Sequence, residues 1–563
     1  MMILLLPTAV MGQSKLEENF DKLAEDILEN LQAYYPVMAT EKGIHDYDYA
    51  FTDYSRSAVK SEIAKLKKFE TRLYKYQKTN LSGERAVSLK LLKSNVDMAL
   101  HELNAVKSYE NNPYLYLRDV VNGIYLIMIS DYPPPDARVF NIIARFKGVP
   151  DFLQQGRENL ESPPPIFIEM AKEMAVTGIE FYRSVDSSLS EQFPELAQEI
   201  HTSATRATEA MYDFALELDE IEPGPPGSFA LGRKDFDYKL KHEYFFDFDS
   251  DSLLKIGQAL FDETKVKYAE YLASLDSTAN DDDIFVIDCI DRQDILDYYQ
   301  WEVEQTKKFL IDHDIVTVPE DIGPCRVVET PTFLTSIISS IAYQPPGAFN
   351  PAQTGYFYVR PVPDSMDQKR REASYKYISR RGFKGSVVHE AYPGHHFQFQ
   401  IASRIDSDIR KWQENICFIE GWALYCEEMM YHQGLYRNDP RRYLNILRGI
   451  LFRAARIIVD VKLHTGQMTP DEAVVWMAEA LDTDTTWLRI EINRYAMTPT
   501  IQMAYLTGKI AITELRDALM AREDENFSLK NFHDRLLAEG AVPPRFLWDI
   551  WELRPSEPAE EKL

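Results

Sequence analysis

The sequence predicts a mainly α-helical protein, a large two-lobed helical body with one small β region. Three observations lead there. Apolar residues recur at i, i+3, i+4 and i+7 from Lys15 to about Asp219. The same period returns after Glu420. Between these stretches, β-branched and aromatic runs of strand type are confined to residues 315–363.

The N-terminal helices are carried by segments such as FDKLAEDILENLQAYY and ERAVSLKLLKSNVDMALHELNAVKSY. Breaks are expected at Asn112-Pro113, Pro133-Pro134-Pro135 and Pro163-Pro164-Pro165, where proline removes a backbone donor and fixes φ. The EPGPPGS run at Glu222–Ser228 is the expected lobe boundary. It separates an N-terminal helical lobe, 13–221, from a C-terminal lobe, 229–563, that carries the chemistry. No fixed-period repeat is present.

Beyond the boundary, Asp249–Ala273 and Ile295–Ile311 read as helices. Between them lies the acidic run Asp276–Asp283, DSTANDDD. It lacks the Gly and terminal Glu of a known Ca²⁺ loop and reads as a solvated loop. IVTVP and CRVVE are short strand candidates. A long loop, AYQPPGAFNPAQT, then leads to Gly355–Val359, which alternates as an edge strand should. RYLNILRGILFRAARIIVDVKLHTG is strongly helical, with Arg448, Arg453, Arg456, Asp460 and His464 set among apolar residues. Thr469-Pro470-Asp471-Glu472 is a helix start with Pro at its first position.

Composition narrows the partners. A net charge of −27 argues against nucleic acid and against anionic membrane, both of which require basic patches. The first twelve residues, MMILLLPTAVMG, are apolar and carry no Lys or Arg. They read as a short signal peptide cut before Gln13, which would make the body secreted or periplasmic; a core-docked N-terminus would leave it cytoplasmic. No later stretch reaches the roughly 18 apolar residues of a membrane span, so no insertion of the mature body is expected. Cys289, Cys325, Cys417 and Cys426 form neither a CxxC pair nor a disulfide framework.

The chemistry concentrates in Val387–Gln400, VVHEAYPGHHFQFQ. The chain has 11 histidines, and His389, His395 and His396 fall together in this run beside Glu390. A His-Glu pair followed by further His is what a catalytic zinc site needs: two imidazoles hold the metal and the adjacent carboxylate activates water. The usual zinc helix has its histidines at i and i+4, but that position here is Pro393. On an unbroken helix His395 would point about 240° away from His389, and His396 would sit about 10 Å further along. Pro393-Gly394 lets the helix bulge or kink. A bulge of two residues would carry His395 to the i+4 place, with His396 in reserve.

A third ligand is expected from Ile416–Met430, ICFIEGWALYCEEMM. Glu420 stands there in an apolar helical frame, where a carboxylate is costly unless paired or metal-bound. Gly421 permits close helix approach and Trp422 would wall the site. Glu427, on the same face as Glu420, is either a partner for a ligand histidine or, with Glu428, a solvated helix edge.

HEAYPGHHFQ together with EGWALY resembles the peptidase-like family known as domain of unknown function 885, which is related to helical zinc metallopeptidases such as neurolysin and the thermostable carboxypeptidases. The resemblance covers nearly the whole chain after the first dozen residues. It implies a zinc-peptidase-like body with a small sheet beside the active-site helix. It further implies a Zn²⁺ held by His389, His395 and Glu420, with Glu390 as general base. The strand at Gly355–Val359 would pair with an extended peptide, making Tyr356 and Tyr358 substrate contacts. In the late segment Arg489–Lys509, residues Arg494, Tyr495, Pro499, Tyr505, Gly508 and Lys509 match the family pattern. Thr500 and Ile501 depart from it by intervening before Gln502. A Tyr or His near the metal can donate to an oxyanion, and Tyr495, Tyr505 and His464 are the candidates. Arg456 or Arg494 could hold a substrate carboxylate, or equally form a buried ion pair.

The expected function is therefore a zinc metallopeptidase acting on short or unfolded peptides. Two alternatives use the same residues: a metal-dependent hydrolase of a non-peptide amide or ester, and a non-catalytic peptide-binding protein.

Overall fold

A computed structural model describes residues 6–79, 81–275, 291–334, 338, 341–363, 365–379, 385–436 and 440–553. The protein is mainly α, 71% helix and 3% strand, with one three-stranded sheet. The chain forms two compact units. The first comprises Met1–Pro225 with Asp406–Gln413, and the second Pro226–Ile405 with Glu414–Leu563. The boundary at Pro225–Pro226 lies inside the EPGPPGS run. The return of Asp406–Gln413 to the first unit was not visible in the sequence.

The first unit is a helical stack. Its long helices are Leu6–Tyr34, Arg56–Tyr76, Glu84–His101, Pro113–Ile129, Pro135–Asn159, Pro165–Gln192 and Ala197–Glu217. The proline clusters begin helices: Pro113, Pro135 and Pro165 each occupy a first position, where the missing N–H costs nothing. The Asn112 side chain accepts from Tyr114 N–H at 3.1 Å and caps the helix that Pro113 opens. Arg410 ties the returning segment in by forking onto Glu84, Nε to Oε1 and Nη2 to Oε2 both at 2.8 Å.

The second unit carries the sheet. Strands β1 (Cys325–Glu329), β2 (Ile341–Gln344) and β3 (Gly355–Val359) lie in the order β1-β3-β2. β1 runs parallel to β3, with Cys325 opposite Gly355, and β2 runs antiparallel, with Ile341 opposite Val359. This corrects two expectations. Gly355–Val359 is the central strand, not an edge, because IAYQ, read as loop ahead of Pro345, is a strand that covers its far side. Ile315–Pro319 forms no strand. Its Ile315 carbonyl instead accepts from His533 Nδ1 at 2.9 Å. The acidic run Asp276–Asp283 and Cys289 lie outside the described residues. Cys325, Cys417 and Cys426 are free and buried.

Two helices decide the position of the site. Ile416–His432 and Ile501–Glu523 pack face to face through Gly421 and Gly508. A Cβ on Gly421 would stand 2.4 Å from the Gly508 carbonyl carbon, so the backbones touch where any side chain would hold them apart. The contact brings Glu420 of one helix and Tyr505 of the other to the His389 ring.

Candidate metal centre

The HEAYPGHH run is two helices, not one bulged helix. Gly385–Glu390 ends after the His-Glu pair, and His395–Ala402 begins at the second histidine. The link between them folds back on itself: Gly394 N–H reaches Val388 O at 3.0 Å, and a Cβ on Gly394 would lie 1.8 Å from His389 O. Only glycine fits. The fully buried Trp422 donates from Nε1 to Pro393 O at 2.8 Å and fixes the link from the neighbouring helix.

The result brings His389 and His395 together, as the two-residue offset requires. Their rings are 4.8 Å apart and nearly perpendicular. Glu420 Oε2 lies 3.3 Å from His389 Nε2 and 3.4 Å from His395 Nε2. Donor atoms bound tetrahedrally at about 2.1 Å are separated by roughly 3.4 Å, so both distances are edges of a zinc-sized tetrahedron. Glu420 Oε2 is buried and has no hydrogen-bond partner, which is costly for a carboxylate oxygen without a cation. Glu390 joins the cluster from the far side, with Oε2 4.0 Å from His395 Nε2. His389, Glu390 and His395 can also be drawn together as a ligand triad. Glu420 is the better third ligand, because it is closer to both imidazoles and its oxygen is otherwise unsatisfied.

The electrostatics ask for positive charge here. Burial alone would raise Glu420, but His395 and His389 hold its carboxyl well below the usual range. Burial alone would lower His389, yet the adjacent Glu420 carboxylate and the bonded Glu427 push it up to about 10, so positive charge on this ring is favoured. Glu390 is raised by burial, an effect that His389 and His395 only partly offset. A carboxylate of raised basicity beside two imidazoles has the character of a general base.

The other predicted residues divide. Tyr505 belongs to the site: its ring stacks on His389 at 6.5 Å and 12°, and burial with the neighbouring Glu420 pushes it up to about 12. Arg456 and Arg494 line the same cavity of about 410 Å³ as His389, Glu390 and Tyr505. Tyr495 and His464 do not. Tyr495 is fully buried with its hydroxyl on Glu491 Oε2 at 3.0 Å, and His464 Nε2 donates to Tyr495 O at 2.9 Å. Both are core groups whose hydrogen bonds are spent on structure. Tyr356 and Tyr358 sit on the central strand, whose main chain is paired on both sides, and neither lines the cavity. His396 is turned away from the cluster. It is fully buried, with Nε2 on Gly323 O at 3.1 Å and Nδ1 on the Tyr343 hydroxyl at 2.9 Å, and burial lowers it to about 3.

Two residues matter more than the sequence suggested. Glu427 is no solvated edge: Oε1 meets His389 Nδ1 at 2.9 Å, orienting the ring so that Nε2 faces Glu420. Arg453 braces that carboxylate at 3.0 Å. Its spacing from Arg456, one helical turn, was the available signal. Glu428 pairs instead with Lys509 at 2.6 Å.

The sequence profile of DUF885, bacterial proteins of unknown function, matches residues 36–549. The chain belongs to this family. No curated protein matches it. Two solved structures share its fold. One is described provisionally as a lipoprotein of unknown function from Shewanella oneidensis, at 19% identity, with a TM-score of 0.75, covering 95% of this chain and 99% of the other. The second, provisionally a lipoprotein from Colwellia psychrerythraea, is 18% identical with a TM-score of 0.77 and covers 95% and 98%. Among the described residues of this DUF885 protein, no helix is long and apolar enough to cross a membrane.

Proposed function

We propose that this DUF885 protein is a zinc-dependent peptidase acting on short or unfolded peptides. One observation carries the reading: the unpartnered Glu420 Oε2 stands 3.3 and 3.4 Å from the Nε2 atoms of His389 and His395, the spacing of a tetrahedral zinc site. A zinc ion held by these three residues would supply Lewis acidity at the scissile carbonyl and lower the pKa of water there to about 7.

The residues of the chain do the rest. Glu390 takes the proton from the attacking water as its oxygen bonds to the carbonyl carbon. The Tyr505 hydroxyl donates to the oxyanion that develops on the carbonyl oxygen. As the carbon–nitrogen bond breaks, Glu390 returns the proton to the leaving nitrogen, giving one carboxylic acid and one amine. Of the outer strands, β2 reaches the cavity through Ile341, and its outer edge, paired with no other strand among the described residues, suits main-chain pairing with an extended peptide. The lipoprotein description of the two structural neighbours supports an extracytoplasmic setting.

The test is metal content followed by turnover. Purified protein should carry about one zinc per chain and cleave unstructured peptides. Glu390→Gln should keep the zinc and lose activity by at least about 10²-fold. Zinc-loaded wild-type protein that cleaves no member of a broad peptide library would refute the reading.

A further inference from the structure

Four arginines line the cavity beside the His-Glu cluster, Arg442, Arg453, Arg456 and Arg494, and the partners of the last three differ. Arg453 Nη2 is paired with Glu427 at 3.0 Å, and Arg494 Nη2 with Glu491 at 2.7 Å. Arg456 has no carboxylate at ion-pair distance among the described residues. Nε donates at 3.1 Å, and Nη2 also donates, to a neutral acceptor, Gln502 Oε1. Glu491 is near enough to influence Arg456, but its Oε2 is committed to Arg494 and Tyr495.

A buried guanidinium satisfied only by an amide is an expensive arrangement. Arg456 is 5% exposed, yet it lines the cavity. Aromatic rings pack against it, with Cζ 4.2 Å from the Tyr505 centroid and 5.1 Å from that of Tyr495. Rings packed against a guanidinium restrain it and favour approach of a ligand to its N–H groups. The Gln502 amide is itself held. Asp460 accepts the backbone N–H of Thr500 at 3.1 Å and of Met503 at 3.0 Å, capping the helix start that carries Gln502.

Distance sets what such a fork could bind. Tyr505 neighbours both groups, 4.2 Å from the Arg456 guanidinium and 6.5 Å from the His389 imidazole, so the two stand within about 11 Å of each other. A carboxylate gripped by Arg456 would therefore sit one or two extended residues, at about 3.4 Å each, from a carbonyl at the cluster. We infer that Arg456 is the receptor for the free C-terminal carboxylate of the substrate, and that the protein removes one or two residues from the C-terminus of peptides. This rests on the peptidase reading for its cleavage step, but the binding claim stands apart from turnover.

The experiment separates the two. Glu390→Gln protein, loaded with zinc, is titrated calorimetrically with N-acetyl-tetra-alanine as the free acid and as the C-terminal amide. The acid should bind about 10- to 100-fold more tightly, the range of a charge-assisted bidentate contact. Adding Arg456→Met should erase that preference while leaving amide binding within about twofold. Arg456→Lys, which keeps the charge and is less disruptive, should retain only part of it. Equal binding of acid and amide by the Arg456 protein, or binding of neither, overturns the inference whether or not the variants fold. Wild-type protein that cleaves acid and amide equally and internally overturns it too while leaving the peptidase reading intact. A preference for the acid without cleavage of either upholds it and counts against the peptidase reading.

Discussion

Glu427 Oε1 lies 2.9 Å from His389 Nδ1 and accepts from Arg453 Nη2 at 3.0 Å, so one carboxylate oxygen serves both an imidazole and a guanidinium. Burial would raise Glu427, but Arg453 and His389 together hold it below the usual carboxylate range. An ionised carboxylate on Nδ1 fixes the proton there and leaves Nε2 free for a metal. Glu427→Gln should weaken zinc binding about 10- to 100-fold with the fold intact. Competition with a chelator of known affinity measures this, and unchanged affinity would remove Glu427 from the site.

The adjacent histidines have opposite roles, and paired variants expose them. His395→Ala should abolish stoichiometric zinc, because it deletes one corner of the tetrahedron around Glu420 Oε2. His396→Ala should keep the zinc. It strands the Tyr343 hydroxyl and the Gly323 carbonyl in the interior, at a cost of about 2–4 kcal/mol. Metal analysis and urea unfolding of the two variants, side by side, decide the assignment.

The His-Glu cluster was legible in the sequence because its chemistry is written in residue types. Three histidines, a His-Glu pair and a Pro-Gly break cannot be explained by packing alone, and Glu420 stood out as a charge in an apolar helix. What failed was long-range. GYFYV announces a half-buried strand, but nothing local says that IAYQ will cover its far edge. Tyr495 and Tyr505 are alike as residues. Only the Gly421–Gly508 contact, which sets the face of the Ile501–Glu523 helix toward His389, separates the wall residue from the core residue. His464 was attractive as a histidine among arginines, yet its Nε2 is committed to the Tyr495 carbonyl.

Stability should fall with acid through buried neutral histidines. His533 donates from Nδ1 to Ile315 O at 2.9 Å and faces the Tyr425 hydroxyl with Nε2 at 3.0 Å, and burial lowers it to about 4. Its unfolded value is about 6.5. Between those values the unfolded chain binds the extra proton, so the contribution is complete above about 6.5 and is lost as pH falls toward 4. The slope is about 1.4 kcal/mol per pH unit for each such group. His464, also lowered to about 4, acts with the same sign. Asp460, raised by burial to about 7, acts with the opposite sign, because there the folded state holds the extra proton. A comparison with His533→Gln isolates one group: the variant is less stable at pH 7, and its stability should decline less steeply from pH 6.5 to 4.5. Parallel curves would mean that His533 is already charged in the fold.

The Gly508 position tests whether the site depends on backbone contact between its two helices. A Cβ there would lie 1.9 Å from the Cys417 carbonyl oxygen, where the middle of one helix meets the backbone of the other's first turn. The helices must separate, and they carry Glu420 and Tyr505. Gly508→Ala should therefore lower stability by about 1–3 kcal/mol or more, and should also weaken zinc binding although no ligand has changed. Gly148→Ala provides the contrast. Its Cβ would meet only Phe51, at 3.5 Å, within the Pro135–Asn159 helix of the other unit. There the change should be neutral or stabilising by about 0.5–1 kcal/mol, since alanine loses less backbone entropy on folding. Zinc affinity and the unfolding midpoint, measured together, distinguish the cases: both fall in Gly508→Ala, and neither falls in Gly148→Ala. A Gly508→Ala protein that loses stability but binds zinc at full strength would show that the ligand geometry is set by the His389–Glu427–Arg453 chain and not by the helix contact.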